Sequence, residues 1–180
     1  MKLDNQTVAR RYGKALFDVS LEKNTREQLS LELSELKKFL HNVPQFKDFI
    51  SSNAIKPDAK TEMMKTLTKD TSDLLTNLLN MLYDYKRLTN LEDIINEFDR
   101  LNDEFEKTVR ASVTTAIKLD EDQKKRLESS FANVVGANKV IFNQKIDESI
   151  IGGVILKSES YIYDGSIKSK IERIKRLLLK

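Results

Sequence analysis

Cysteine and tryptophan are absent from this 180-residue sequence, histidine occurs once, and there are only two prolines and five glycines. Without cysteine there is no disulfide framework, no thiolate metal site and no cysteine nucleophile. The single histidine, His41, leaves a histidine-based zinc site or a Ser-His-Asp triad without its parts. No stretch approaches the roughly 18 consecutive apolar residues of a membrane-spanning helix. Met1-Lys2-Leu3-Asp4 runs straight into polar Asn5-Gln6-Thr7, with no signal-peptide core. These absences predict a protein of the cytoplasm or of the cytoplasmic face of a membrane. A net charge of +3, from 31 basic and 28 acidic residues, is a small excess that argues weakly against nucleic acid as the main partner. The ends differ: the first 105 residues carry a slight acidic excess and the rest a basic one, as two units with different partners would.

What is present is helix-forming. Hydrophobic residues make up 39% of the chain, enough for a core. Gly13 is the only glycine before residue 105, and scarce breakers among many Leu, Lys and Glu favour helices. Val8, Tyr12, Ala15, Leu16 and Val19 share one helical face. Leu29, Leu33, Leu36, Leu40 and Val43 make a second, with Thr25 and Gln28 placed as a capping box. Pro44 opens a short third helix carrying Phe46, Phe49 and Ile50. Ser51-Ser52-Asn53 reads as a turn, and Pro57 starts a fourth helix around Met63, Met64 and Leu67. A fifth runs from near Ser72 through Leu74, Leu75, Leu78, Leu79 and Leu82. A sixth, from a Thr89/Glu92 capping box, carries Leu91, Ile95, Phe98, Leu101 and Phe105. Six helices with short connections predict a bundle.

The period changes to two after residue 107, where Val109, Ala111, Val113, Thr115 and Ile117 alternate with small and polar residues, as in a strand. A helix then starts at Asp120–Gln123, shows Leu127, Phe131 and Val134, and stops at Gly136. Lys139–Phe142, Ile150–Leu156 and Tyr161–Tyr163 read as strands. Asp164-Gly165 is a turn, with Ser166 placed to cap a last helix bearing Ile167, Ile171, Ile174 and Leu178. The expected fold is therefore mainly α: a six-helix bundle over residues 1–106, followed by a small α+β domain over 107–180.

Catalytic signatures are missing. Gly13-Lys14 lacks the upstream glycine and the Ser/Thr of a phosphate loop, and neither G-x-G-x-x-G nor G-x-S-x-G occurs. Gly152-Gly153 has no helix start after it, so it reads as a bulge or a close backbone approach. His41 reads as a solvated helix-end residue, and Asp99 and Asp103 as part of a polar helix face. Asp120-Glu121-Asp122 lacks the glycine and terminal glutamate of a calcium loop. No cofactor or metal is expected. Two features bear on partners. The fifth helix has more apolar surface than one core-facing strip needs, so either it is central and buried all round or one side is left for a partner, and the first helix has the same surplus. The last helix sets Lys168, Lys170, Arg173, Lys175, Arg176 and Lys180 against one acid, Glu172; such helices bind acidic partner helices, anionic lipid or nucleic acid, or simply place cations where the helix C-terminal dipole and solubility favour them.

Val8-Ala9-Arg10-Arg11-Tyr12-Gly13-Lys14-Ala15-Leu16-Phe17 resembles the first helix of the delta subunits of F-type ATP synthases, the family of the mitochondrial oligomycin sensitivity-conferring protein. Asn77-Leu78-Leu79, Leu82, Arg87-Leu88 and Ile94-Ile95 are similar to its fifth and sixth helices. Ile150-Ile151-Gly152-Gly153-Val154, Asp164-Gly165-Ser166-Ile167, Ile174 and Leu177-Leu178 resemble its C-terminal motif, so the likeness spans the chain. It implies a non-catalytic stator subunit, one copy per complex, at the cytoplasmic face of the bacterial plasma membrane and touching the membrane only through the complex. The resemblance further implies that the first and fifth helices grip the N-terminal segment of an alpha subunit. Tyr12, Ala15, Leu16 and Val19 would form one wall of the groove, and Leu75, Leu78, Leu79 and Leu82 the other. The C-terminal domain would hold the C-terminal helices of the b-subunit stalk, with Gly152, Gly153, Asp164, Gly165 and Ser166 in structural roles. The alternative, from the basic last helix alone, is a nucleic-acid-binding helical protein.

Overall fold

A computed structural model describes residues 4–52, 54–159 and 161–179. Asn53 of the expected turn, Lys180 of the basic helix and Met1-Lys2-Leu3 of the start lie outside the described residues. The chain separates into two compact units, Met1–Asn102 and Asp103–Lys180, a cut slightly before the expected junction and inside the last turn of the sixth helix.

The first unit is the bundle: α1 (Asn5–Glu22), α2 (Arg26–Asn42), α3 (Gln45–Ser51), α4 (Pro57–Thr68), α5 (Asp73–Asp84) and α6 (Leu91–Glu106), with a 3-10 turn at Leu88–Asn90. Its core takes Leu29, Leu33, Leu36 and Leu40 from α2, Leu75, Leu78, Leu79 and Leu82 from α5, and Leu91, Ile94, Ile95 and Phe98 from α6. Phe17 of α1 meets Phe98 edge to face at 5.8 Å, a favoured aromatic geometry. Gly13 has a packing reason. A Cβ there would lie 2.8 Å from Glu97 Cβ and 3.1 Å from the Ile94 carbonyl oxygen, so glycine lets α1 and α6 approach closely.

Helix ends were harder to read. Ser72, near which the fifth helix was expected to start, caps α5, accepting from the Leu75 N–H. The Thr25/Gln28 box does not form: Thr25 sits at φ −111°, ψ 10°, its hydroxyl is buried without a partner, and Gln28 donates to Glu32 instead. The preceding turn explains this, because Asn24 (φ 54°) closes α1 in a left-handed conformation and fixes Thr25 before α2 begins. Nor does Glu92 cap α6. Its carboxylate accepts from Lys47 at 2.6 Å, and this hydrogen bond holds its pKa below the ordinary value, aided by the same cation's charge.

The second unit holds a four-stranded sheet in the order β2-β1-β3-β4. β1 (Thr108–Thr115) pairs in parallel with β2 (Lys139–Ile146), and α7 (Glu121–Val135) makes the crossover. β3 (Val154–Ser158) and β4 (Ile162–Asp164) follow antiparallel, and α8 (Ile167–Leu178) ends the chain. The alternation in β1 sends Ala111, Val113 and Thr115 inward against Phe131, Val140, Phe142 and Leu156. Asp120 and Gln123 form a full capping box, and Gly136 (φ 67°) stops α7 in the left-handed conformation. Ile117 and Val134, expected on inner faces, are exposed. The third strand starts later than expected. Ile150 lies in a 3-10 turn at Glu148–Ile150, and positive φ at Ile151 and Gly153 bends the backbone before β3 begins.

Candidate functional site: two surfaces

On the bundle, the structure divides the eight expected groove residues. Leu16, Leu75, Leu78, Leu79 and Leu82 are buried, Leu79 at 0% exposure, so they face the core and not a groove. The physical reason is α5's place among its neighbours: core on several sides absorbs the wide stripe. Tyr12 and Val19 are half-buried and Ala15 is exposed. Spaced at i, i+3 and i+7, these three make a surface strip along α1, with Leu16 buried beneath. Leu74 is half-buried on α5, and Met81 and Tyr85 reach the surface at its far end.

The cluster at that end, which joins Tyr12 to Arg87 and Tyr85, is not foreseen from sequence. Arg87, just past α5, donates from Nη1 to the Tyr12 hydroxyl at 2.9 Å. Its guanidinium carbon lies 5.7 Å from the centre of the Tyr12 ring and 5.9 Å from that of Tyr85. The sequence signal was there: a Tyr and an Arg flanking Lys86 at the end of a strongly apolar helix. Asp99 and Asp103 are not a bare polar face either. Asp99 accepts from Lys37 at 2.7 Å, and Asp103 pairs with Arg110.

In the second unit the motif residues build a mooring for α8. The Ser166 hydroxyl accepts from the Ser169 N–H, capping the helix as expected. Asp164 accepts from the Ser166 N–H at 2.9 Å and from the Ser169 hydroxyl at 2.6 Å. The Ser169 hydroxyl bond is the foremost cause holding the Asp164 carboxyl below its ordinary pKa, with Ser166 adding to it. Backbone bonds from Gly165 N–H to Val154 and from Ile167 N–H to Gly152, both 2.9 Å, tie this turn to the glycine pair. A Cβ on Gly153 (φ 78°) would collide with the Gly165 carbonyl oxygen and come within 3.2 Å of Ser166 Cα. The close backbone approach expected at Gly152-Gly153 is present.

Past this mooring α8 lies open. It has no buried residue. Ile167, Ile171, Ile174 and Leu178 share one face, with Ile171 50% and Leu178 81% exposed. At 100° per residue, Lys168 and Lys175 flank this stripe on one side and Lys170 on the other, with Arg173 and Arg176 farther round toward the opposite face. An isolated helix of 12 residues is marginal in water, so a bare stripe of this kind lacks its own support. The chain just before α8 is also apolar and exposed, at Tyr161, Ile162 and Tyr163.

Among the described residues no group of three or more His, Cys, Asp or Glu side chains is placed to hold a metal. A groove of about 500 Å³ beside α8, lined by Asp164, Ser169, Glu172, Arg173, Arg176 and Leu177, is open and of mixed charge. Among the described residues no helix is long and apolar enough to cross a membrane.

Comparison with known proteins adds to this picture. The family model for the ATP synthase delta (OSCP) subunit matches residues 8–178. The ATP synthase subunit delta of Ligilactobacillus salivarius is 67% identical over the full length of both chains. That of Lactiplantibacillus plantarum is 40% identical over 99% of each chain, and that of Enterococcus faecalis 37% over 100% of each. A chain of the Toxoplasma gondii mitochondrial ATP synthase hexamer has the same fold, with TM-score 0.71 and 23% identity, covering 97% of this chain and 98% of its own.

Proposed function

Because the chain belongs to the ATP synthase delta (OSCP) subunit family, a non-catalytic part of the F-type enzyme's peripheral stalk, we propose that its two units clamp two different subunits. The bundle takes the N-terminal segment of an alpha subunit of the catalytic head, and the C-terminal unit takes the C-terminal helices of the b-subunit stalk. The observation that carries this reading is α8, moored at its N-terminus and bare along an apolar stripe edged with cations. Such a stripe fits an amphipathic partner helix, with apolar anchors in the centre and acidic groups at the rim. On the bundle the contact strip is Tyr12, Ala15 and Val19, and the buried leucines of α1 and α5 set its position without touching the partner.

The chemistry required of the protein is mechanical. Rotation of the central stalk puts torque on the head, and a head without an anchor turns with it, dissipating proton-motive energy instead of storing it in ATP. Each contact has to outlast that load, which hot-spot anchors provide at about 2 kcal/mol or more apiece. Two contacts within one complex also raise avidity through effective concentration. The protein is placed at the cytoplasmic face of the membrane through its partners, one copy per complex. Nucleic acid is a poorer fit, since the chain's charge is nearly balanced at +3, without the marked basic excess of nucleic-acid-binding domains.

The test is paired binding measurements on the full chain. Val19→Asp should abolish binding of an alpha-subunit N-terminal peptide, and Ile171→Asp binding of a soluble b-subunit segment, with the melting temperature unchanged in both. Leu79→Asp should instead unfold the bundle. Wild-type chain that bound neither segment would overturn the proposal.

A further inference from the structure

From the geometry around Arg87 we infer that this residue is a carboxylate-reading subsite, fixing the register in which a helix docks on the bundle. The inference rests on the proposed alpha-subunit contact and goes beyond it by naming the residue that decides how the segment is aligned.

The backbone first holds the residue still. Lys86 (φ 56°) ends α5 in a left-handed turn, and the Arg87 N–H donates to the Leu82 carbonyl at 2.7 Å. The Arg87 carbonyl accepts from Asn90, locking the following 3-10 turn. The side chain is then held by the Tyr12 hydroxyl and the two tyrosine rings. A guanidinium has five N–H donors in a rigid planar fork, and one of them is used here. Among the described residues Arg87 has no carboxylate partner, unlike Asp99 with Lys37 or Glu92 with Lys47. Tyr85 is 65% exposed, so the cluster lies at the surface and is not a core fixture.

An immobilised, half-buried guanidinium between two tyrosines is suited to bidentate binding of a carboxylate. Arginine and tyrosine are also the residues that dominate hot spots. Its position gives it a task that apolar contacts do poorly. Tyr12 begins the strip that continues through Ala15 and Val19, and apolar strips alone let a helix slip by a turn at little cost. One charged contact at the Tyr12 end admits a single alignment, as polar groups set register elsewhere in helix pairing. The docked segment therefore carries an Asp or Glu opposite Arg87.

Calorimetric titration of full-length protein with a synthetic N-terminal alpha-subunit peptide tests this. The protein variants are Arg87→Gln, Arg87→Lys and Tyr85→Ala, and the peptide series changes each Asp or Glu in turn to its amide. The expected result is that Arg87→Gln weakens binding roughly thirtyfold, the scale of a hot-spot residue. One amide peptide should lose as much on wild-type protein and nothing further on Arg87→Gln, while Arg87→Lys recovers only part. The inference is overturned if Arg87→Gln binds every peptide like wild type, or if its loss adds fully to that of every peptide change. Should Arg87→Gln fail to fold, the peptide series on wild-type protein decides alone: no acid-to-amide change weakening binding also overturns it. Wild-type protein that ignores the unmodified peptide removes the proposed contact itself, a distinct result.

Discussion

Gly153→Ala and Gly136→Ala form a matched pair that separates backbone conformation from close packing in the second unit. Both glycines have positive φ, 78° and 67°. At Gly136 a Cβ meets nothing within 4 Å, so alanine there carries only the left-handed penalty of about 1–2 kcal/mol. At Gly153 the same penalty applies, and the new methyl group also strikes the Gly165 carbonyl. Relieving that clash moves the turn and breaks the Gly165-to-Val154 and Ile167-to-Gly152 hydrogen bonds, at about 1 kcal/mol each. The difference between the variants is then about 2 kcal/mol, a large share of the stability of so small a unit. Pulsed hydrogen exchange along a urea series, read by mass spectrometry, reports each unit separately. Gly153→Ala should shift the midpoint for residues 108–179 well below that of Gly136→Ala and leave the bundle's midpoint in place. Equal midpoints for the two variants would refute the claim that the glycine pair exists for the mooring.

Further predictions concern conformation and charge. Lys86→Gly, at φ 56°, should stabilise the bundle by up to about 1 kcal/mol, visible as a higher melting temperature; no rise would contradict the left-handed reading. Asp164 ionises more readily in the folded chain than its ordinary value of 3.8, chiefly through the Ser169 hydroxyl. A depressed carboxylate stabilises the fold above its unfolded pKa, and this contribution is lost as pH falls through the folded pKa. A carbon-13 titration should therefore place the Asp164 midpoint below 3.8, with Ser169→Ala moving it back up.

The presence of the elements was legible, because 3.6-residue and two-residue periods differ sharply and α1–α6, β1 and α7 all carry long runs of one or the other. Which apolar face meets a partner was not. A leucine stripe reads the same whether its own chain or another covers it, so sequence leaves core and groove both open on α5, and in the structure its leucines are core. On α8 an equally regular stripe does not say by itself what covers it; in the structure none of its residues is buried. A cap was legible where only local sequence decides, as at Ser166, and illegible at Thr25, where the end of the previous helix fixes the backbone. Arg87 was hidden for a similar reason: its partners, Tyr12 and Tyr85, meet only after folding.

The most direct test is reconstitution with the catalytic head and a soluble b-subunit segment, followed by size-exclusion chromatography with light scattering. Head and b segment should co-elute only when this chain is added, in one-to-one-to-one complexes, with the rate of ATP hydrolysis by the isolated head unchanged. A chain that binds the two only in mutually exclusive pairs, or leaves them eluting apart, contradicts the account.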